Sequence, residues 1–230
     1  MLVRLPVPKK KPASPLRLTL IVCLVEIAGL STIATFAALL PVFQQQWGLS
    51  HAAAGWISAA YYGGYVLWVP LLSAWTDRVD ARRIMGVGAV VSMLAALGYA
   101  LLAQGFWSAL GLRFAAGAAL AGIYMPGLKV VSDHAEGPLQ SRFVSFYTGS
   151  FSVGAAISFL LAGVINRWAG WRWAFAASAL GAALALALLV LFVPPARFSK
   201  ENRRALWREF KTIVQSPPVM IYVWGYALHM

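Results

Sequence analysis

The chain has 230 residues, of which 60% are hydrophobic and only 11% charged, and its mean hydropathy is +0.72. A water-soluble domain carries about 25% charged residues because its surface must face water. This composition therefore excludes a soluble globular domain and makes lipid the natural solvent. The formal net charge of +12 first suggests a nucleic-acid partner, but the placement of the charges speaks for a membrane instead.

In chain order, residues 1–17 form a basic, proline-rich tail with Arg4, Lys9, Lys10, Lys11 and Arg17, a composition that builds no packed core. A bilayer core about 30 Å thick requires about 20 apolar residues of helix. Six stretches reach that length: 18–43, 52–74, 84–103, 106–131, 143–165 and 173–193. The first is too long for the apolar part of a cleavable signal, and no small-residue cleavage pattern follows it. Residues 194–218 read as a linker. Within it Leu206, Phe210, Ile213 and Val214 recur at helical spacing among Arg203, Arg204, Arg208 and Lys211, the pattern of an amphipathic helix on a membrane surface. A passive linker explains that pattern, and a regulatory partner site is the alternative. After Pro217 and Pro218, residues 219–230 are apolar again but reach only about 18 Å, so they read as the truncated start of a seventh helix.

Counting Lys and Arg by loop fixes the expected orientation. With the N-terminus in the cytoplasm, sixteen of the 19 basic residues fall inside, and only Arg113, Arg167 and Arg172 fall outside. This asymmetry accounts for the net charge without nucleic acid. Trp47, Trp107, Trp168, Trp171 and Trp173 all fall near the outer boundary, as expected of an interfacial aromatic belt. The expected location is a cell membrane, in a bacterium the inner one, crossed several times.

The six spans divide into two sets of three. Ser73, Asp77, Arg78 and Arg83 follow the second span, and Ala162, Asn166, Arg167 and Arg172 follow the fifth, at an offset of 89. Glu26 and Arg113 stand 87 apart in spans one and four. An odd number of spans separates the copies, so the second is inverted in the membrane. The expected fold is thus all-α, six transmembrane helices as a 3+3 inverted repeat, a construction that many secondary transporters place around a midplane site.

Few residues carry chemistry. Glu26 is the only acid inside a full span, about 12 Å from the inner end of its helix. An ionisable group there marks proton or cation coupling, contact with a cationic substrate, or a structural hydrogen bond between helices. Arg113 lies about 9 Å deep from the outer side, where it either snorkels outward or points inward and pairs with Glu26. Ser150, Gly154, Ser158 and Ala162 run down span five at a spacing of four, and Gly117 and Ala121 do so in span four. Such stripes are packing surfaces and would also suit a rocking interface. Pro41 and Pro126 near helix ends, and Gly63-Gly64 in mid-span, are candidate bending points. Cys23 is the single cysteine and forms no internal disulfide. His51, His134 and His229 have no metal-ligand spacing, and nothing in the sequence asks for a metal or another cofactor. No nucleophile–base constellation lies within the spans, which opposes an intramembrane enzyme.

Asp77-Arg78-Val79-Asp80-Ala81-Arg82-Arg83 resembles the signature between helices two and three of the major facilitator superfamily. Ser73 and Asp80 stand where that signature has glycines. Arg113 through Ala121, with Pro126 beyond, resembles the family's helix-four signature, whose Arg is linked to proton transfer; Ala116 stands where the pattern often has Gln. Trp171-Arg172-Trp173-Ala174-Phe175 resembles the start of helix six. Span five, 147–154, has neither the Gly-Pro pair of drug/proton antiporters nor the Asn-containing glycine-rich signature of nitrate carriers. The resemblance implies alternating access between two six-helix bundles, of which this chain would supply the N-terminal one and stop within helix seven. The C-terminal bundle would then belong to a longer form of the same chain or to a second subunit. Helices one and four would line the cavity, placing Glu26 and Arg113 near the route of a small solute and of protons. Asp77, with Arg78, Arg82 and Arg83, would form the cytoplasmic gate. A non-transporting assembly partner or receptor on the same scaffold is the alternative function.

Overall fold

The computed structural model describes residues 14–76, 78–135 and 137–195. Asp77, the tail before residue 14, the amphipathic linker pattern and the start of helix seven lie outside the described residues.

The helical region at the first expected span runs over 15–47, longer than the apolar stretch 18–43, and is not one helix. α1 (Pro15–Gly29) begins at Ser14, whose hydroxyl accepts a hydrogen bond from the Arg17 amide at 3.3 Å, with Pro15 in the first turn. Both features satisfy a helix start, so Arg17 belongs to the bundle rather than to the tail. A tight 3-10 turn follows at Leu30–Thr32, then the short α2 (Thr35–Ala38) and α3 (Leu40–Trp47). The run Ser31-Thr32-Ile33-Ala34-Thr35 explains the break. Hydroxyl side chains compete for backbone groups, and Thr35 Oγ1 donates to the Ser31 carbonyl at 2.9 Å. Pro41 has no amide for the preceding turn, so α2 ends at Ala38. Gly48, with φ of 61°, takes the left-handed conformation that closes α3.

The remaining expected spans correspond to continuous helices with ends within a few residues of expectation: α4 (His51–Thr76), α5 (Ala81–Leu102), α6 (Phe106–Asp133), α7 (Pro138–Ala169) and α8 (Trp171–Phe192). Asp80 caps α5 by accepting the Arg82 amide at 3.0 Å. α7 runs five residues further toward its N-terminus than its apolar stretch, because Gly137 and Pro138 set the start. α6 continues through Pro126, which lies inside the helix rather than at its end. Five of the helical stretches, Pro15–Thr32 and the four from α5 to α8, are long and apolar enough to cross a membrane. α4 has 26 residues, but Trp56, Tyr61, Tyr62, Tyr65, Trp68 and Trp75 lower its hydropathy.

α6 is at the centre: α4 and α5 both pack on it, α5 also packs on α8, and α1 packs on α8, α7 and α6. Small residues permit these approaches. A Cβ at Gly64 would fall on the Phe114 carbonyl, and one at Gly117 on the Tyr61 carbonyl. Gly64 is therefore a contact point between α4 and α6 rather than a hinge, whereas the Cβ position of Gly63 meets no packing neighbour within 4 Å among the described residues. These adjacent glycines should respond oppositely to alanine. Gly63→Ala gains helix propensity, about 1 kcal/mol, and should raise the thermal midpoint in detergent. Gly64→Ala should lower it, by about 1–3 kcal/mol of overpacking.

Phe36, Phe43, Trp47, Tyr99, Trp171 and Phe175 form one aromatic cluster, with Tyr99 stacked on Phe175 at 3.9 Å and Phe43 on Trp47 at 4.5 Å. Of the five tryptophans expected in an interfacial belt, Trp107, Trp168 and Trp173 are exposed, whereas Trp171 is buried in this cluster. Its indole NH donates to Gln46 Oε1 at 2.8 Å. Position along the span does not separate the two groups; the face of the helix does.

Candidate functional site

The site gathers where spans one, four and five meet. Glu26 comes from the last turn of α1 and is fully buried. Its Oε2 accepts from Ser150 Oγ on α7, whose hydroxyl also lies 2.7 Å from the Tyr147 carbonyl. Among the described residues, no donor meets Glu26 Oε1.

Arg113, on α6, is only 4% exposed and so does not snorkel outward. The structure also does not pair it with Glu26. Its Nη1 donates to the Thr32 carbonyl at 2.8 Å and its Nη2 to the Ile33 carbonyl at 3.2 Å. These oxygens are freed by the break after α1, where the negative end of that helix's dipole favours a cation. The guanidinium lies over the Tyr61 ring, 4.1 Å from its centroid, and such a desolvated cation–π contact contributes about 2 kcal/mol. Seven residues, about 10 Å of helix, separate Glu26 from Ile33. This distance, and the capture of the guanidinium by the Thr32 and Ile33 carbonyls, explain why the expected pair does not form.

The stripe on α7 is buried, as a packing surface should be. Gly154 lets α7 approach Ile27 and Leu30 of span one. Ser158 does more than pack. Its hydroxyl donates to the Ser31 carbonyl at 2.8 Å and accepts the Ala34 amide at 3.2 Å, while Thr35 Oγ1 lies 3.1 Å from Ser178 Oγ on α8. Ser31, Thr35, Ser158 and Ser178 thus satisfy the broken backbone of span one. On α6, Gly117 and Ala121 are buried in the same way.

These contacts occur twice. Glu26 meets Ser150 as Arg113 meets Tyr61, with both members shifted by 87–89 residues. Gly154 lies on Ile27 as Gly64 lies on Phe114. At the helix ends, Arg82 Nη2 donates to the Val190 carbonyl at 2.6 Å, and Arg172 Nη1 donates to the Ala100 carbonyl at 2.9 Å. Each arginine ties the start of one helix to the last turn of its neighbour. The expected repeat pairs Arg83 with Arg172; the contacts pair Arg82 with Arg172, at an offset of 90. Equivalent roles predict equivalent losses. Arg82→Gln and Arg172→Gln should each lower stability by about 1–2 kcal/mol, measured by thermal unfolding, and unequal losses would break the equivalence. Of the other residues expected at the gate, Arg78 and Arg83 are exposed.

A bundle of long apolar helices, with a buried acid and a buried arginine on equivalent elements, is the architecture of a multi-pass membrane protein built from an internal repeat. Comparison with known proteins agrees. The profile of the Major Facilitator Superfamily matches residues 21–230, and the chain belongs to that superfamily. Among curated proteins, protein spinster homolog 3 of Danio rerio is 24% identical over 185 residues, covering 79% of this chain and 37% of that protein. A probable sphingolipid transporter, spinster homolog 1 of Arabidopsis thaliana, is 24% identical over 152 residues, covering 66% of this chain and 31% of that one. The chain thus spans about a third of the length of these relatives. Among solved structures, the proton:xylose symporter XylE bound to 6-bromo-6-deoxy-D-glucose superposes with a TM-score of 0.70 at 19% identity, covering 79% of this chain and 45% of that one. The inward-open xylose transporter XylE from E. coli gives 0.66 at 18%, covering 79% and 48%. At these identities the solved structures establish the fold alone.

Proposed function

We propose that this bundle, with six spans and a cytoplasmic N-terminus, works in a secondary active transporter that moves a small organic solute by alternating access, with protons coupled through Glu26. The observation that carries the reading is a fully buried acid that bonds a serine and whose second oxygen meets no donor among the described residues. An acid at such depth is kept where it titrates or binds. Arg113 holds the broken span one in place beside it and so positions the acid. Alternating access needs a second bundle rocking against this one, supplied by the same polypeptide or by a second subunit. Asp77, Arg78 and Arg83 form the cytoplasmic latch between the two, while Arg82 is committed to α8. The likeness to a probable sphingolipid transporter favours an organic solute over an inorganic ion. The membrane is a cell membrane, in a bacterium the inner one.

The test is solute uptake by the native protein reconstituted in liposomes, screened across organic solutes with and without an inward proton gradient. Saturable uptake accelerated by the gradient is expected. Saturable uptake indifferent to it would overturn the coupling, and no saturable uptake of any solute would overturn the transport reading itself.

A further inference from the structure

α4 and α5 both pack on α6 but scarcely touch each other, and a cleft lies between them. It is an apolar cavity of about 650 Å³. Trp68, Leu72 and Trp75 line it from α4 at a spacing that keeps one helical face, opposite Val87 and Val91 of α5, with Phe114 of α6 behind. At the end next to the α4–α5 turn this cavity meets a second one of about 560 Å³, lined by Arg78, Asp80, Arg82 and Arg83. Val79 and Arg83 border both. Arg82 is occupied by the Val190 carbonyl and Asp80 by the Arg82 amide, whereas Arg78 and Arg83 are exposed. An apolar slot with guanidinium groups at one mouth, on the face that the charge count assigns to the cytoplasm, has the shape and charge of a lipid molecule's complement.

We propose that this two-part cleft holds one anionic phospholipid of the surrounding membrane, its phosphate on Arg78 and Arg83 and an acyl chain between α4 and α5. Arg matches a phosphate bidentately, and basic pockets between helices on the cytoplasmic side recognise anionic head groups. The site is separate from Glu26 and Arg113 and shares Arg78 and Arg83 with the proposed latch, so its lipid is a resident of the fold and not the cargo.

Trp68 and Trp75 provide the readout, since a brominated acyl chain quenches tryptophan only on close approach. The native protein is placed in phosphatidylcholine bilayers containing brominated-chain phosphatidylglycerol or brominated-chain phosphatidylcholine. The Trp68→Phe/Trp75→Phe variant is subtracted to isolate the two indoles. The proposal expects stronger quenching by the anionic lipid and a preference that falls about tenfold in Arg78→Gln/Arg83→Gln. It expects the preference to persist in Arg142→Gln, which removes an exposed charge in the first turns of α7, outside the lining of the cleft. Equal quenching of the wild-type protein by the two lipids overturns the proposal without any arginine variant. So does an equal loss in Arg142→Gln, which would mean general surface attraction. Absence of quenching from either lipid overturns it too, and leaves the cleft to another part of the protein.

Discussion

Arg113→Leu should destabilise the bundle by about 3 kcal/mol, read as thermal unfolding of the detergent-solubilised native protein. Two contributions act in that direction. The Thr32 and Ile33 carbonyls lose their donors, and each buried acceptor left unpaired costs about 1–3 kcal/mol. The Tyr61 ring loses its cation, a further loss of about 2 kcal/mol. One contribution opposes them, because leucine removes a charge whose burial is itself unfavourable; hence the net figure is below the sum. Arg113→Lys keeps the charge and one donor direction but not the fork that reaches both carbonyls, so it should lie between wild type and Arg113→Leu. A leucine variant as stable as the wild type would mean that span one holds its break without Arg113.

Glu26→Gln should uncouple the transporter without closing it. Glutamine keeps the volume of the side chain and a group that hydrogen-bonds Ser150, so the packing of α1 on α7 is retained, but it cannot take or release a proton. For one proton per solute, each pH unit across the membrane is worth about 1.4 kcal/mol, which supports about tenfold accumulation. The variant should bring internal and external solute only to equal concentrations while still exchanging labelled for unlabelled solute across the membrane. Accumulation unchanged in the variant would remove Glu26 from coupling and leave it the structural role of joining two helices.

The sequence made most of the long helices legible, because span length is imposed by bilayer thickness and needs no knowledge of packing. Glu26 and Arg113 stood out for the same reason: an ionisable group is conspicuous in an apolar run. Their partners were not legible. Arg113 bonds two backbone carbonyls, which every residue has, and these became available only because span one breaks. The run of Ser31, Thr32 and Thr35 signals that break, though apolar length masks it. Ser158 reads as a small packing residue, and its hydrogen bonds to span one follow from the helix it faces. Ser178, whose hydroxyl meets Thr35, has no signal beyond being a hydroxyl in an apolar helix. The repeat was detectable from spacing, but the choice between Arg82 and Arg83 as the equivalent of Arg172 depends on which arginine points at the neighbouring helix end.

The most direct test is the pH outside lightly buffered liposomes that carry the native protein, followed as the transported solute is added. Solute entering with a proton should make the external medium more alkaline, with one proton removed per solute taken up, and Glu26→Gln should abolish the change while exchange continues. Solute uptake with no pH change in the wild-type protein would contradict proton coupling through Glu26.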